Sequence, residues 1–444
     1  MPKKLRDILL IIFVILFIII TTITSLYASG YKFNLTWPLR FNRLLQKTGT
    51  LAVASKPSRA IVYLNGKAQH DLSFKPWKKD YLTTPVKVKN ILPDKYELTL
   101  ELEGYWPYQQ TVYINSGEAT FVEDVILFKA DLPLLIKESP ETKLSLSQDN
   151  RYLFNEEGNE IISLKTEGTR KLNNLEEYQT DYKWLKNNKL FKDGILYDPL
   201  KSENDNNYKI IIGSDATNWY FDETTNTLYY KNQNTINQFG INTQISSLIL
   251  KDENIISYHP YKDKLFAIAK NGQIKLSGYF LKNLEKSNEF ILPSSGNYEF
   301  VSEISSFLSI YDSKNKTLYL FDDNKIENGP IVINGIENWQ VLKNNSILYT
   351  NNLEIYTFDL TTQKNELITR RSEALNDIIW NESGNYLIFS DKNSLNVFDF
   401  KNRTTTKLLN GENISSPVLD ERGKNLYFWG KIENREGIYK ISLE

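Results

Sequence analysis

The hydrophobic and polar positions divide the chain into three regimes. From Ile8 to Ala28 the segment ILLIIFVILFIIITTITSLYA carries 21 residues without a charge, and its first thirteen, Ile8 to Ile20, are apolar without a break. As a helix rising ~1.5 Å per residue such a stretch reaches about 31 Å, the thickness of a bilayer core. A buried core helix seldom runs this far without a polar position, and the apolar part of a cleavable signal is about 7–15 residues long. The pattern therefore predicts a short tail and a transmembrane helix within residues 1–30, with the membrane met at residues 8–28. Residues 31–47 lose the pattern and carry Trp37-Pro38. They read as a membrane-proximal stalk, with one helical turn around Leu39 to Leu45.

From residue 48 to 128 apolar and polar positions alternate in short bursts: Leu51 and Val53, Ile61 and Tyr63, Val86 and Val88, then Tyr96, Leu98, Leu100 and Leu102. Period two predicts strands. Lys56-Pro57, Asn65-Gly66, Thr84-Pro85 and Pro93-Asp94 punctuate them, and Asn-Gly is a hairpin signal because both residues tolerate positive φ. The expectation is a small antiparallel β-sandwich. The order VASKPSRAIVYLNG, TTPV, LPDKYELTLELEGY resembles the PEGA domain, a cell-envelope β-module named for a Pro-Glu-Gly-Ala turn. Pro57 and Ala60 match that turn, Gly66 the next hairpin, Thr84-Pro85 the Thr-Pro and Gly104-Tyr105 the closing Gly-Tyr. The sequence departs from the family at Ser58-Arg59, at Asp94 and in a longer loop from Ala68 to Leu82. The resemblance implies an extracytoplasmic binding or spacer module without catalytic residues.

The remainder repeats. A strand marked by a leucine recurs at Leu153, Leu190, Leu228, Leu265, Leu308, Leu348, Leu387 and Leu426, at intervals of 37, 38, 37, 43, 40, 39 and 39 residues. An aromatic strand often precedes the leucine, as at Trp184, Trp219, Trp339 and Trp380, and a further strand and a polar hairpin follow it. A period near 40 built of strands alone predicts a β-propeller of about eight four-stranded blades, each blade burying its neighbour's face. Unrelated sandwich domains would not keep so regular a spacing. The turns NESGNYLIF and LDERGKNLYF, residues 381–389 and 419–428, resemble the blade signature of TolB-like and dipeptidyl-peptidase-type propellers. The final copy owns three strands only, so the segment DLPLLIKES, residues 131–139, is expected to close the 131–444 propeller, with Leu134 to Lys137 beside Ile438 to Ile441. The fold class is thus all-β beyond the N-terminal helix.

Composition narrows the chemistry. Lys plus Arg number 53 against 54 Asp plus Glu, scattered rather than gathered in a stripe, which argues against a nucleic-acid partner. Cysteine is absent, so disulfides, thiolate metal sites and thiol nucleophiles are excluded. Of the two histidines, His70 falls in the long loop of the PEGA-like segment and His259 in a turn before a blade strand, too far apart in sequence for a local metal pair. No phosphate loop, nucleophile elbow or calcium loop is present. The carboxylates of DSKNK and DDNK, within residues 312–325, occupy hairpins where Asp serves turn chemistry. No catalytic, cofactor-binding or metal residue is singled out.

These readings predict a single-pass membrane protein with a cytoplasmic N-terminus, because Lys3, Lys4 and Arg6 sit tightly against the span while Lys32, Arg40, Arg43 and Lys47 precede a large body that translocates regardless of charge. The body is expected to be a non-enzymatic binding or scaffolding platform for an envelope protein or cell-wall glycan, without a cofactor. The alternative is a propeller-type glycan lyase or hydrolase that uses carboxylates on one face.

Overall fold

The computed structural model describes residues 3–34, 44–70, 80–166, 168–172, 182–201, 203, 205–301, 304, 306–342, 345–381, 386–420 and 422–444. They fall into two compact units, one of residues 1–132 with 398–408 and 442–444, the other of residues 133–397 and 409–441.

The first unit begins with a helix, Lys3–Ala28, whose stretch Arg6–Ala28 is long and apolar enough to cross a membrane. Phe13 and Phe17 stand 69% and 67% exposed on it, which in water alone would be costly. Thr22 and Thr24 return their hydroxyl protons to the carbonyls of Ile18 and Ile20 at 2.8 and 2.7 Å, so these side chains are satisfied without water. Gly30, at φ 84°, turns the chain out of the helix. Tyr31–Phe33 then pairs with Leu45–Lys47 in a two-stranded ribbon. Leu45 is therefore extended and Leu44 lies in a bend, contrary to the expected helical turn, whose residues 39–43 lie outside the described residues.

The segment expected to be a sandwich has two sheets. Gly49–Lys56 lies between Val86–Ile91 and Ala119–Ile126, and Lys67–Ala68, Ile61–Leu64, Asp94–Glu101 and Tyr108–Ile114 form the second sheet in that order. The alternating apolar positions face inward: Leu51, Val62, Leu98, Leu100 and Val125 are fully buried in one cluster. Asn65 and Gly66 both take positive φ, 49° and 72°, as a tight hairpin turn requires. The module is not wholly antiparallel, because Ala119–Ile126 runs parallel to Gly49–Lys56. Arg59 stands at φ 78°, a left-handed conformation that glycine adopts without steric cost.

The rest of the chain forms eight open four-stranded sheets. In order they take up residues 144–171, 182–207, 216–251, 255–292, 298–334, 338–370, 375–410 and 412–442. The last is completed by Leu134–Glu138, which pairs antiparallel with the final strand: Leu134 opposite Lys440, Leu135 opposite Tyr439, Lys137 opposite Ile438 and Glu138 opposite Gly437. Every repeated leucine sits on the second strand of its sheet, at 1% exposure or less. Leu153, Leu190, Leu228, Leu265 and Leu308 each sit in a cluster shared by two neighbouring sheets. Phe154 and Ile161 of the first sheet share a cluster with Leu190 and Tyr197 of the second. Phe266 and Leu276 of the fourth share one with Leu308 and Phe321 of the fifth. Leu144, Leu153 and Ile162 of the first sheet join Trp429 and Ile438 of the eighth.

Candidate functional site: a polar pocket

The first strands of the sixth, seventh and eighth sheets are stitched side by side. Asn338 Nδ2 donates to the carbonyl of Asn376, whose own Nδ2 donates to the carbonyl of Ile414 at 3.2 Å. The Trp380 amide donates to Gln340 Oε1 at 2.5 Å, and the Ser416 amide to Asp377 Oδ2 at 2.9 Å. These bonds leave the starts of the strands, and the loops that lead into them, arrayed around a pocket of about 950 Å³.

Its wall is polar. Glu337 and Glu373 come from the loops before the sixth and seventh sheets, Glu141 from the loop before the first, and Lys316 and Lys392 from hairpins of the fifth and seventh. None of these five side chains forms an ion pair or hydrogen bond with another described residue. Asn413 and Ser415 complete the wall from the eighth sheet, and the Ser415 hydroxyl is closed off from solvent without a partner among the described residues. Asp377 lies deeper. Burial pushes its carboxyl above the usual range, and the Ser416 amide and the charge of Lys143 oppose that rise. A raised carboxyl holds a proton more readily.

The residues weighed in the sequence fall elsewhere. His70 is exposed, bridges to Tyr81 and meets its ring at a centroid distance of 4.9 Å. His259 is not in a turn: it lies inside the strand Ile255–Tyr261, 7% exposed, stacked on Phe300 at 5.6 Å and edge-on to Tyr220 at 4.8 Å. Burial, followed by the charge of Lys183, lowers its pKa to about 4. Among the described residues no group of three or more His, Asp or Glu side chains is arranged to hold a metal ion. Asp312 does serve its turn, accepting the amide protons of Lys314 and Asn315 at 3.1 and 3.2 Å, and Asp322 accepts that of Asn324 at 3.0 Å. Burial acts to raise the Asp312 pKa, but hydrogen bonds from Asn297, Asn315 and Lys314 outweigh it and lower it. The pocket residues went unnoticed because, apart from Glu373 and Asp377, no two of the charged ones are near in sequence. The one available signal is a glutamate in the loop before a sheet's first strand, at Glu337 and again at Glu373.

The PEGA domain family matches residues 78–126, the later part of the segment that carries the resemblance. No curated protein sequence matches the chain. Hsv2 of Kluyveromyces lactis, a β-propeller, is similar over 49% of this chain and 70% of its own, with 11% identity and a TM-score of 0.33. The computationally designed Ika8 protein is similar over 69% of this chain and 97% of its own, with 11% identity and a TM-score of 0.45. A chain of a mitotic checkpoint complex is similar over 71% and 93%, with 9% identity and a TM-score of 0.38. Likenesses this distant carry no function across.

Proposed function

We propose that the chain is a single-pass cell-envelope protein whose eight sheets are the blades of a TolB-like propeller, held outside the cytoplasm by the N-terminal helix. On this reading the propeller is a binding platform, its site is the polar pocket, and the PEGA-like module is a spacer or second binding site. The core shared by the first and eighth sheets supports a closed ring. The observation that carries the binding role is the pocket wall, where Glu141, Glu337, Glu373, Lys316 and Lys392 leave their charges without a described partner. Glu141, Glu373, Lys316 and Lys392 stand exposed and Glu337 is half-buried, so these charges are accessible to a ligand that enters the pocket.

The test uses the full chain in nanodiscs as bait for envelope extracts, beside the double variant Glu337→Gln/Glu373→Gln. A partner held by the parent and lost by the variant supports the platform. Equal capture by both, or none by either, counts against it.

The raised carboxyl of Asp377 favours a second reading, a hydrolase or lyase that uses this group as its acid. Turnover of a glycan substrate, abolished in Asp377→Asn, would establish it in place of the platform.

A further inference from the structure

The two-stranded ribbon that follows the N-terminal helix has two unlike faces. Tyr31 stands opposite Lys47 and Phe33 opposite Leu45. Side chains alternate across a strand, so these four share one face, and Lys32, Asn34 and Gln46 share the other. Asn34 Nδ2 donates to Gln46 Oε1 at 3.0 Å, which closes the second face as a polar one. The first face is apolar except at Lys47, and it is open: Tyr31, Phe33 and Leu45 are 36%, 46% and 40% exposed, and none belongs to the core of the PEGA-like module.

The helix sets the height of this face. The uncharged residues Ile8 to Ala28 match the thickness of a bilayer core, which puts Ala28 at its edge. The Gly30 amide returns to the Tyr27 carbonyl at 3.0 Å, so the chain turns here instead of rising straight away. Tyr31 lies three residues past Ala28, a reach of about 10 Å even when extended, and the headgroup layer of one leaflet is about 5–8 Å thick. The returning strand is tied to the same level, because Thr48 donates both its amide and its hydroxyl to the Gly30 carbonyl, at 2.7 and 2.8 Å. Continuity with the span thus names what covers the face: aromatic and aliphatic side chains at this depth meet lipid, and rings with a polar edge are favoured there.

We propose that the ribbon is a seat on the leaflet that the span leaves, with Tyr31, Phe33 and Leu45 laid into the lipid interface and Lys47 reaching the headgroup phosphates. This rests on the reading of residues 8–28 as a membrane anchor and adds a second, lateral contact to it. The seat also gives the PEGA-like module its footing, since the Gly117 amide donates to the Thr48 carbonyl and the Ser116 hydroxyl to the Lys47 carbonyl, each at 3.1 Å.

The chain has no cysteine, so a nitroxide label can be placed at one site at a time. In the full chain in nanodiscs of zwitterionic lipid, Phe33→Cys and Leu45→Cys carry the label on the apolar face, Gln46→Cys on the polar face and Phe17→Cys in the middle of the span. Each label on the apolar face leaves the other apolar side chains in place. Relaxation by oxygen, which concentrates in lipid, is compared with relaxation by a nickel chelate, which stays in water. The oxygen-to-nickel ratio at residues 33 and 45 should be severalfold higher than at residue 46 and lower than at residue 17. Equal ratios at residues 33, 45 and 46, with the label at residue 17 immersed, overturn the seat and leave the anchor standing. Labels at residues 33 and 45 shielded from oxygen and nickel alike reveal a protein surface on this face, a second copy or a partner, and also overturn it. A label at residue 17 open to nickel refutes the anchor, and the seat with it.

Discussion

Trp429 donates its indole N–H to the carbonyl oxygen of Ser139 at 2.9 Å, in a buried setting and across 290 residues of chain. The bond joins the second strand of the eighth sheet to the residue that follows Leu134–Glu138, the strand that completes that sheet. Lys137 of the same strand pairs with Glu160 of the first sheet, and Glu160 in turn accepts from Asn155 at 2.8 Å. The completing strand is thus fixed from both sides.

Replacing Trp429 by Phe keeps most of the ring but leaves the Ser139 carbonyl buried without its donor. The expected cost is about 1–3 kcal/mol, seen as a lower denaturant midpoint with an unchanged slope. Deleting residues 131–139 exposes the edge Arg435–Ser442, and should lower the melting temperature and promote association. A deletion variant as stable and as monomeric as the parent would show that the strand is dispensable.

Arg59, which by resemblance stands where the PEGA turn has glycine, holds φ 78°. The left-handed region costs a residue with a Cβ about 1–2 kcal/mol, part of which glycine returns through its freer unfolded chain. Arg59→Gly should therefore stabilise the PEGA-like module by about 0.5–1 kcal/mol in chemical denaturation. A loss of stability instead would mean that the Arg59 side chain contributes more than its backbone strain removes.

His259 gives the fold a dependence on acid. Its folded pKa, about 4, lies below the 6.5 of the free side chain, so the unfolded chain binds the proton more readily. The stability it contributes is present above about pH 6.5 and is lost as pH falls toward 4, at most about 3 kcal/mol over that window. His259→Phe, which keeps a ring against Tyr220 and Phe300, should flatten the stability curve between these values. If the slope persists in the variant, the acid loss belongs to other groups.

The proposed anchoring through the stretch Arg6–Ala28 is open to direct test. Protease added to intact cells should remove everything beyond Tyr31, and a chain lacking residues 1–28 should leave the membrane fraction. Full protection until lysis would reverse the orientation.

The repeated leucines show why so much of the architecture was readable. Leu153 and Leu387 stand 234 residues apart in sequence, yet both are fully buried on the second strand of a sheet, because each repeated sheet must solve the same packing problem with the same residue type. The parallel pairing of Ala119–Ile126 with Gly49–Lys56 was not readable, since period two looks the same for either strand direction. His259 was misplaced for a similar reason: the adjoining Pro260 suggests a turn, but it lies on the first strand of its sheet, opposite Leu265. The pocket was invisible because Glu141, Lys316, Glu337 and Lys392 come from separate loops, and only the order of the sheets in space brings them to one wall.

The pairing of Leu134 with Lys440 also sets a timetable. A ribosome makes the outermost strand of the eighth sheet before the first seven sheets, and the strands it pairs with only afterwards. For nearly the whole of synthesis that strand has an unmatched edge and waits for partners of high sequence separation, the kind of contact that slows folding. Seven sheets can form as they emerge, but the eighth is assembled only when the last strand is free of the exit tunnel, so a pause or truncation late in translation leaves a molecule that is folded in most of its parts and adhesive at one seam.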